Sequence, residues 1–485
     1  MEHEAVRTHV RQTWDADILP SLSELVKIPA LSPAFDARWA ASGHLAAAVA
    51  HVRKWMEPRA IPGATIDVVQ LDGRSPVLLL DVPATEGAAD AGTVLLYGHL
   101  DKQPPVGGWS EGLGPWTPVL RDGRLYGRGS ADDGYAGYAA TAALEAVRRS
   151  GGQHARAVVL LETGEESGSP DLPAYLAHLA ERLGAVTFVV CLDSGGFDYQ
   201  RLWLTTSLRG LAQAQITVRV LETAQHSGLA SGAVPSSFRV LRELLERIES
   251  AKTGEILLPE LSVRIPENRL REAEATAAVA PGAIRGTFPL ADGVRPVSDD
   301  EVELLLNTSW RPTLSVIGAD GFPTPAEAGN VLRTSSTLAL SFRLPPTADS
   351  AAAMAAITRA LTTDVPYQAQ VELAGVEHAG GWNAPEAAPW LATALGEVSE
   401  TVFGQPWRSI GLGGSIPFMG LLGELYPQAQ FLVTGALGSD SNAHVPDEWL
   451  HLAHAARVTE AVAYMLDAHA RGYAARDALK GSFSA

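Results

Sequence analysis

Cysteine is almost absent: Cys191 is the single one in 485 residues. No disulfide can form within the chain, which points to a reducing compartment, the cytoplasm. Long apolar runs are missing too. None approaches the roughly 18 residues that a membrane span requires. The first segment, MEHEAVRTHVRQTWDADILP, lacks the basic-then-apolar order of a secretory signal. Basic residues are in deficit, with 37 Lys and Arg against 55 Asp and Glu and a net charge of −18. Such an acidic surface argues against nucleic acid or an anionic membrane as partner. No internal repeat and no compact metal-finger motif is visible. What is present is 46% hydrophobic and 19% charged, a composition that supports a large core rather than disorder.

The first 205 residues alternate strand-like and helix-like segments. Thr93–Tyr97, Ala157–Leu161 and Val186–Leu192 are unbroken Val/Leu-rich runs, the pattern of strands covered on both faces. Ser42 is placed to cap a helix running to Met56, with Leu45, Val49, Val52 and Trp55 on one face. A second helix is expected from about Asp133 to Arg149, stopped by Gly151-Gly152. After residue 206 the pattern changes to alternation. Strands at 211–221, 313–317, 336–344 and 368–373, with helices at 236–248 and 350–361, give β-α-β-β-α-β, the ferredoxin-like plan. A Pro-rich, acidic insertion at 251–310 interrupts it. From about 383 the α/β character returns, with helices at 387–403, 416–425 and 449–474 and a strand at 431–434. The expected fold class is therefore α/β. An α/β domain of residues 1–206 and 377–485, with a mainly parallel sheet flanked by helices, carries an inserted α+β domain of residues 207–376.

Five metal-type ligands lie far apart in this pattern: His99, Asp132, Glu166, Asp193 and His444. At least three follow a buried strand, and strand ends of a parallel sheet converge on one point. Each has a blander explanation. Asp132 and Asp133 stand where an N-cap would, Glu165 and Glu166 could be a solvated loop, and Asp193-Ser-Gly-Gly is a good turn. Asp101, two residues after His99, is spaced to hydrogen-bond that ring and fix its tautomer. Of the adjacent Glu165 and Glu166, one can bind metal while the other takes a proton from water. His226 and Arg343 fall in the inserted domain, where an Arg aimed into a cleft can clamp a carboxylate.

These features resemble the M20 family of zinc metallopeptidases, and more closely its carnosinase-like dipeptidase branch. The resemblance rests on YGHLDKQPP, PWTPVLRDGRLYGRGSADD, ETGEESGS, CLDS, QHSG, SFRLPP, GGSIP and NAHVPDE, in that order over nearly the whole chain. It implies a zinc-exopeptidase-like catalytic domain with a lid and dimerisation domain, and two Zn²⁺ per subunit. Mn²⁺ and Co²⁺ suit the same ligands. Asp132 would bridge the ions, with His99 and Asp193 completing one shell and Glu166 and His444 the other. Glu165 matches the general base and Asp101 the residue that orients the first His. His226 matches a His that serves the neighbouring subunit's oxyanion, so a homodimer is implied. Arg343 matches the clamp for the substrate carboxylate, and Asn330, Gly414 and Ser415 fall at substrate-contacting positions. Three departures stand out: Asp133-Gly134-Tyr135 after Asp132, Ala224-Gln225 before His226, and Asn330 where Thr is usual. The implied activity is hydrolysis of the amide bond of a dipeptide or similar small substrate with a free carboxylate. An N-acyl-amino-acid amidohydrolase is the alternative, and a catalytically inactive dimeric binding protein a more distant one.

Overall fold

The computed structural model of the chain describes residues 1–59, 61–414 and 417–482, and leaves aside the side chains of 417 and 473–482. The chain divides into two compact units. The first comprises Met1–Thr206, Ala384–Ile410 and Leu421–Ala485, the second Ser207–Asn383 and Gly411–Gly420.

A six-stranded sheet forms the centre of the first unit. Its order is Thr65–Val69, Val77–Val82, Arg156–Glu162, Thr93–His99, Val186–Cys191, Gln430–Val433. The last four are mutually parallel, and Val77–Val82 runs antiparallel to both of its neighbours, Thr65–Val69 and Arg156–Glu162. Thr93–His99 is buried at every position, as its unbroken apolar run requires when both sheet faces are covered. The helix Ala136–Arg149 is buried along nearly its whole length. Its alanines and Gly137 let it approach the sheet closely: a Cβ on Gly137 would lie 2.5 Å from Leu161 Cδ1. The three strands ending at His99, Glu162 and Cys191 are neighbours in the sheet, so the segments that follow them emerge side by side.

In the second unit, Gly210–Arg219 lies between Ser335–Leu344 and Gln370–Ala379, and Thr313–Asp320 forms the outer edge beyond Ser335–Leu344. All pairings are antiparallel. The helices Ser237–Glu246 and Ser350–Thr362 cover one face, packing Val240, Leu241, Leu244, Ala353 and Ile357 on Ile216, Val218, Leu340 and Phe342. This is the ferredoxin-like order. The 251–310 insertion is helical, with Glu267–Val279, Ala283–Thr287 and Glu301–Ser309.

Several expectations need correction. The second passage between units falls after Asn383 rather than 376, because the strand at Gln370 continues to Ala379 and Trp382–Asn383 pairs with Ser207–Leu208. Residues 411–420 also group with the second unit. Ser42 ends a one-turn helix. The following helix, His44–Met56, begins after Gly43, whose φ of 71° a residue without a Cβ adopts at no steric cost. The helix expected from Asp133 starts at Ala136, and neither aspartate caps it. The last helix starts at Leu452, since Trp449–His451 pairs as a strand with Arg124–Tyr126. No helix among the described residues is long and apolar enough to cross a membrane.

One buried group in the first unit sets a pH dependence. His154 Nε2 lies 2.8 Å from Arg148 Nε and its Nδ1 2.7 Å from the Ala155 carbonyl. Arginine only donates, so Nε2 accepts and the ring proton sits on Nδ1. Burial, opposed by the Ala155 bond and reinforced by Arg148, pushes its pKa down to about 4 from 6.5. Between those values the unfolded chain binds a proton that the folded chain refuses. The stability from this group is complete above pH 6.5 and is lost as pH falls toward 4, by on the order of 3 kcal/mol. His154→Gln, whose amide can still accept from Arg148 and donate to Ala155, should flatten that part of the acid-unfolding curve. A variant that loses stability as steeply as the wild type over pH 6.5 to 4 would exclude the role.

Candidate metal centre and active site

All five candidate ligands lie in the first unit, and four contacts chain them together. His99 is the last residue of its strand and is fully buried. Its Nε2 is 3.2 Å from Asp132 Oδ1 and 3.9 Å from Asp193 Oδ2. His444 Nε2 is 2.9 Å from Asp132 Oδ2 and 3.2 Å from Glu166 Oε2. Asp132 thus presents one oxygen to each histidine. Two overlapping groups, His99–Asp132–Glu166 and His99–Glu165–Asp193, each keep one ligand atom per residue within 4.8 Å of the others.

Local structure explains why these side chains converge. Glu165 and Glu166 sit in the turn Glu165–Ser167 just beyond the strand Arg156–Glu162. Their backbone N–H groups donate to Asp101, Glu165 to Oδ1 at 3.2 Å and Glu166 to Oδ2 at 3.0 Å. The nearest partner of His99 Nδ1 is the Asp101 carbonyl at 3.0 Å, with the Asp101 carboxylate at 3.5 Å. Asp101 therefore serves two neighbours: its carbonyl faces the His99 ring and its carboxylate holds the glutamate turn. Asp133 Oδ2 accepts from the His99 backbone N–H at 3.3 Å. Gly98 makes this approach possible, since a Cβ there would lie 2.7 Å from Asp133 Oδ2. The peptide joining Asp132 to Asp133 is cis. His444 is reached by a loop in which Asp440, Asn442, His444 and Asp447 all have positive φ. For non-glycine residues such backbone is costly, and it persists where surrounding structure imposes it.

The electrostatics are those of a site short of positive charge. Burial disfavours the charged ring of His99, yet Asp101 and Asp132 hold its pKa well above 6.5. His444 is likewise opposed by burial but held at about 10 by Asp132 and Glu166. Burial raises Asp193 to about 7. Burial first, then the charge of Asp193, pushes Glu165 well above the usual carboxylate range. Burial and Asp132 raise Glu166, while His444 and His99 overcome burial and keep Asp132 below that range. Among the described residues no Lys or Arg pairs with these acids; their basic partners are the two histidines. Two imidazoles and a cluster of carboxylates, part buried and without cationic side chains, fit divalent metal.

The remaining candidates lie in the second unit. His226 is exposed on the two-residue strand Gln225–His226, which pairs with Val331–Leu332. Its Nδ1 accepts from the Gly228 N–H at 3.0 Å, leaving the ring proton on Nε2. Asn330 is beside it, its carbonyl accepting from Ser227 N at 2.8 Å. Arg343, in the strand Ser335–Leu344, is half-buried, and burial lowers its pKa. Gly414 is exposed, and Ser415 lies outside the described residues.

The sequence did not single out several polar residues with notable bonds in the structure. Gln103 Nε2 donates to Glu166 Oε2 at 2.6 Å. Glu448 and Arg128 brace the Asp132 segment. Arg209 bonds the carbonyls of Gly413 and Asn307, and burial together with the neighbouring Arg343 lowers its pKa to about 10. Gln103, Arg128 and Glu448 stand inside motif strings quoted above, so their polarity within otherwise structural text was the available signal. Arg209 had none.

A family model of known peptidases matches residues 95–468, a span that holds every one of these groups. The chain belongs to peptidase family M20/M25/M40. This M20 peptidase is 27% identical over 384 residues to the cysteinylglycine-S-conjugate dipeptidase of Corynebacterium striatum, covering 75% of the chain and 78% of that relative. It is 26% identical over 394 residues to the Beta-Ala-His dipeptidase of Homo sapiens, covering 78% and 75%. Among solved structures its fold matches human carnosine dipeptidase 1 with a TM-score of 0.74 at 22% identity, over 96% of this chain and 98% of that one. An M20 family metallo-carboxypeptidase from Sulfolobus solfataricus matches with a TM-score of 0.73 at 17% identity, over 94% and 99%. The M20 peptidase is an enzyme with a mixed α/β sheet flanked by helices, and its acid-rich cluster is a candidate site for divalent metal.

Proposed function

We propose that this M20 peptidase is a two-metal dipeptidase that cleaves the amide bond of small substrates with a free carboxylate, and that it works as a cytoplasmic homodimer. One observation carries the reading: Asp132 offers one oxygen to each of two histidines, and each histidine lies against a further carboxylate. His99, Asp132 and Asp193 would hold one ion; His444, Asp132 and Glu166 would hold the other. Two divalent cations, zinc by preference, supply Lewis acidity when bound, activating water and polarising the scissile carbonyl.

The protein's own groups do the rest. Glu165, within 4.8 Å of His99 and Asp193, takes a proton from the attacking water and returns it to the leaving nitrogen. Its raised proton affinity suits a carboxylate that must pick up a proton and release it. Asp101 holds the Glu165 backbone and the His99 ring in place. His226, with its ring proton on Nε2, is the donor to the oxyanion of a site in the partner subunit, an effect of about 3 kcal/mol where such donors have been removed elsewhere. Arg343, desolvated beside Arg209, clamps the substrate carboxylate, and Asn330, Gly414 and Ser415 line the same substrate. The two guanidinium groups favour an anionic end on the substrate, a property that dipeptides and N-acyl amino acids share. The names of the relatives favour dipeptides.

The test is a panel of free dipeptides, C-terminally amidated dipeptides and N-acetyl amino acids, assayed with the metal-loaded protein. Free dipeptides should be cleaved at least about tenfold faster, by kcat/KM, than either other class, one decade corresponding to about 1.4 kcal/mol. Faster turnover of N-acetyl amino acids would replace the dipeptidase reading by a deacylase. No hydrolysis, with less than about one ion bound per chain, would leave a binding protein.

A further inference from the structure

Arg128 and Glu448 form a fully buried ion pair 2.7 Å long, 1% and 0% exposed. Taking two charges out of water costs several kcal/mol per ion, so the pair needs a reason beyond filling space. Its other bonds supply one. Glu448 Oε1 accepts from the backbone N–H groups of Gly129, Ala131 and Asp132, at 2.9, 3.2 and 3.3 Å. Arg128 donates through its second terminal nitrogen to the Val445 carbonyl at 3.1 Å. The Glu448 carbonyl in turn accepts from Gly127 N at 2.9 Å. One loop ends in Asp132 and the other contains His444, and the two are more than 300 residues apart in sequence. A third segment is tied in, since Ser110 N donates to Asp447 Oδ1 at 2.9 Å. The backbone between Asp440 and Asp447 passes four times through positive φ and has little regular pairing of its own.

We propose that Glu448 and Arg128 are positioning residues that set the spacing between Asp132 and His444, and so the strength of one of the two metal sites. The inference rests on the two-metal reading above. It is selective by construction. His99 and Asp193 are placed by strand ends of the central sheet, and the ion they would hold shares only Asp132 with the braced loops. The ion on Glu166 and His444 depends on the brace for two of its three ligands. Hydrogen-bonded supports of metal ligands commonly change affinity by about 10–100-fold.

Glu448→Gln keeps the side chain's size and removes its charge. The measurement is metal stoichiometry and affinity by competition with a chromophoric chelator, using Co²⁺ so that each site's absorption spectrum is read separately. Thermal unfolding confirms that the protein measured is folded. The wild type should bind two ions. Glu448→Gln should bind the ion on Glu166 and His444 about 10–100-fold more weakly and the other, which shares only Asp132 with the brace, with a clearly smaller loss, and the metal concentration for half-maximal activity should rise by the larger factor. Unchanged affinity at both sites, or equal weakening at both, overturns the proposal. A wild type that binds fewer than two ions overturns the two-metal reading beneath it instead. If Glu448→Gln does not fold, Arg128→Lys, which keeps the charge but loses the second arm that reaches Val445, is measured against the same criteria.

Discussion

Glu165→Gln should leave both metal ions bound and lower kcat by about a thousandfold, within the range typical of a lost general base. Glutamine matches glutamate in size and can still hydrogen-bond, but it cannot take a proton from water. The histidines and other acids are untouched. The Glu165 backbone should stay where Asp101 holds it, because those bonds use the main-chain N–H groups of Glu165 and Glu166. KM should change little, since the carboxylate clamp lies elsewhere. The same variant separates two roles. Glu165 lies within 4.8 Å of His99 and Asp193, close enough to be a ligand itself. Loss of one ion from Glu165→Gln would make it a ligand. Retention of both ions with more than about a tenth of wild-type turnover would remove it as the base.

Mixing two inactive proteins should restore activity. His226→Ala keeps the base and lacks the oxyanion donor, and Glu165→Gln has the reverse defect. If His226 serves the partner's site, a mixed dimer rebuilds one complete site from the base of one chain and the histidine of the other. Random exchange makes half of the dimers mixed, each with one working site of two, so about a quarter of the wild-type rate should return. Placement supports the idea: His226 is exposed, and with Nδ1 occupied by Gly228 N its remaining ring nitrogen is a donor. The mixture is assayed for dipeptide cleavage after exchange has been shown by pairing differently tagged chains. Exchange without recovery would return His226 to its own subunit or remove it from the reaction.

Much of this site was legible before any fold was known. His99, Glu165, Glu166 and Asp193 stood just beyond apolar runs, and parallel neighbouring strands place such residues together. The inserted ferredoxin-like unit was equally plain, because period-two alternation in 211–221 and 336–344 differs from the continuous runs of the first unit. Helix starts were read less well. Ser42 and Asp133 have good capping chemistry, but one helix begins after Gly43 and the other only at Ala136; the Asp133 carboxylate accepts from the His99 N–H instead, an alternative to a local capping preference of about 1 kcal/mol. The 251–310 insertion was unreadable because its helices have a weak apolar period; only Arg269 and Thr276 are buried in Glu267–Val279.

The sequence by itself determined the family and the fold class, and it singled out the candidate ligands and base, because these depend on residue type and order along the chain. Only the tertiary structure decided which groups share a neighbour. It placed one Asp132 oxygen at each histidine and turned the Asp101 carboxylate toward the glutamate turn. It also joined the Asp132 and His444 loops through Arg128 and Glu448. The Arg128–Glu448 pair joins residues 320 apart in the chain, and a contact made by a buried ion pair at that range has no periodicity or spacing by which a linear pattern could announce it.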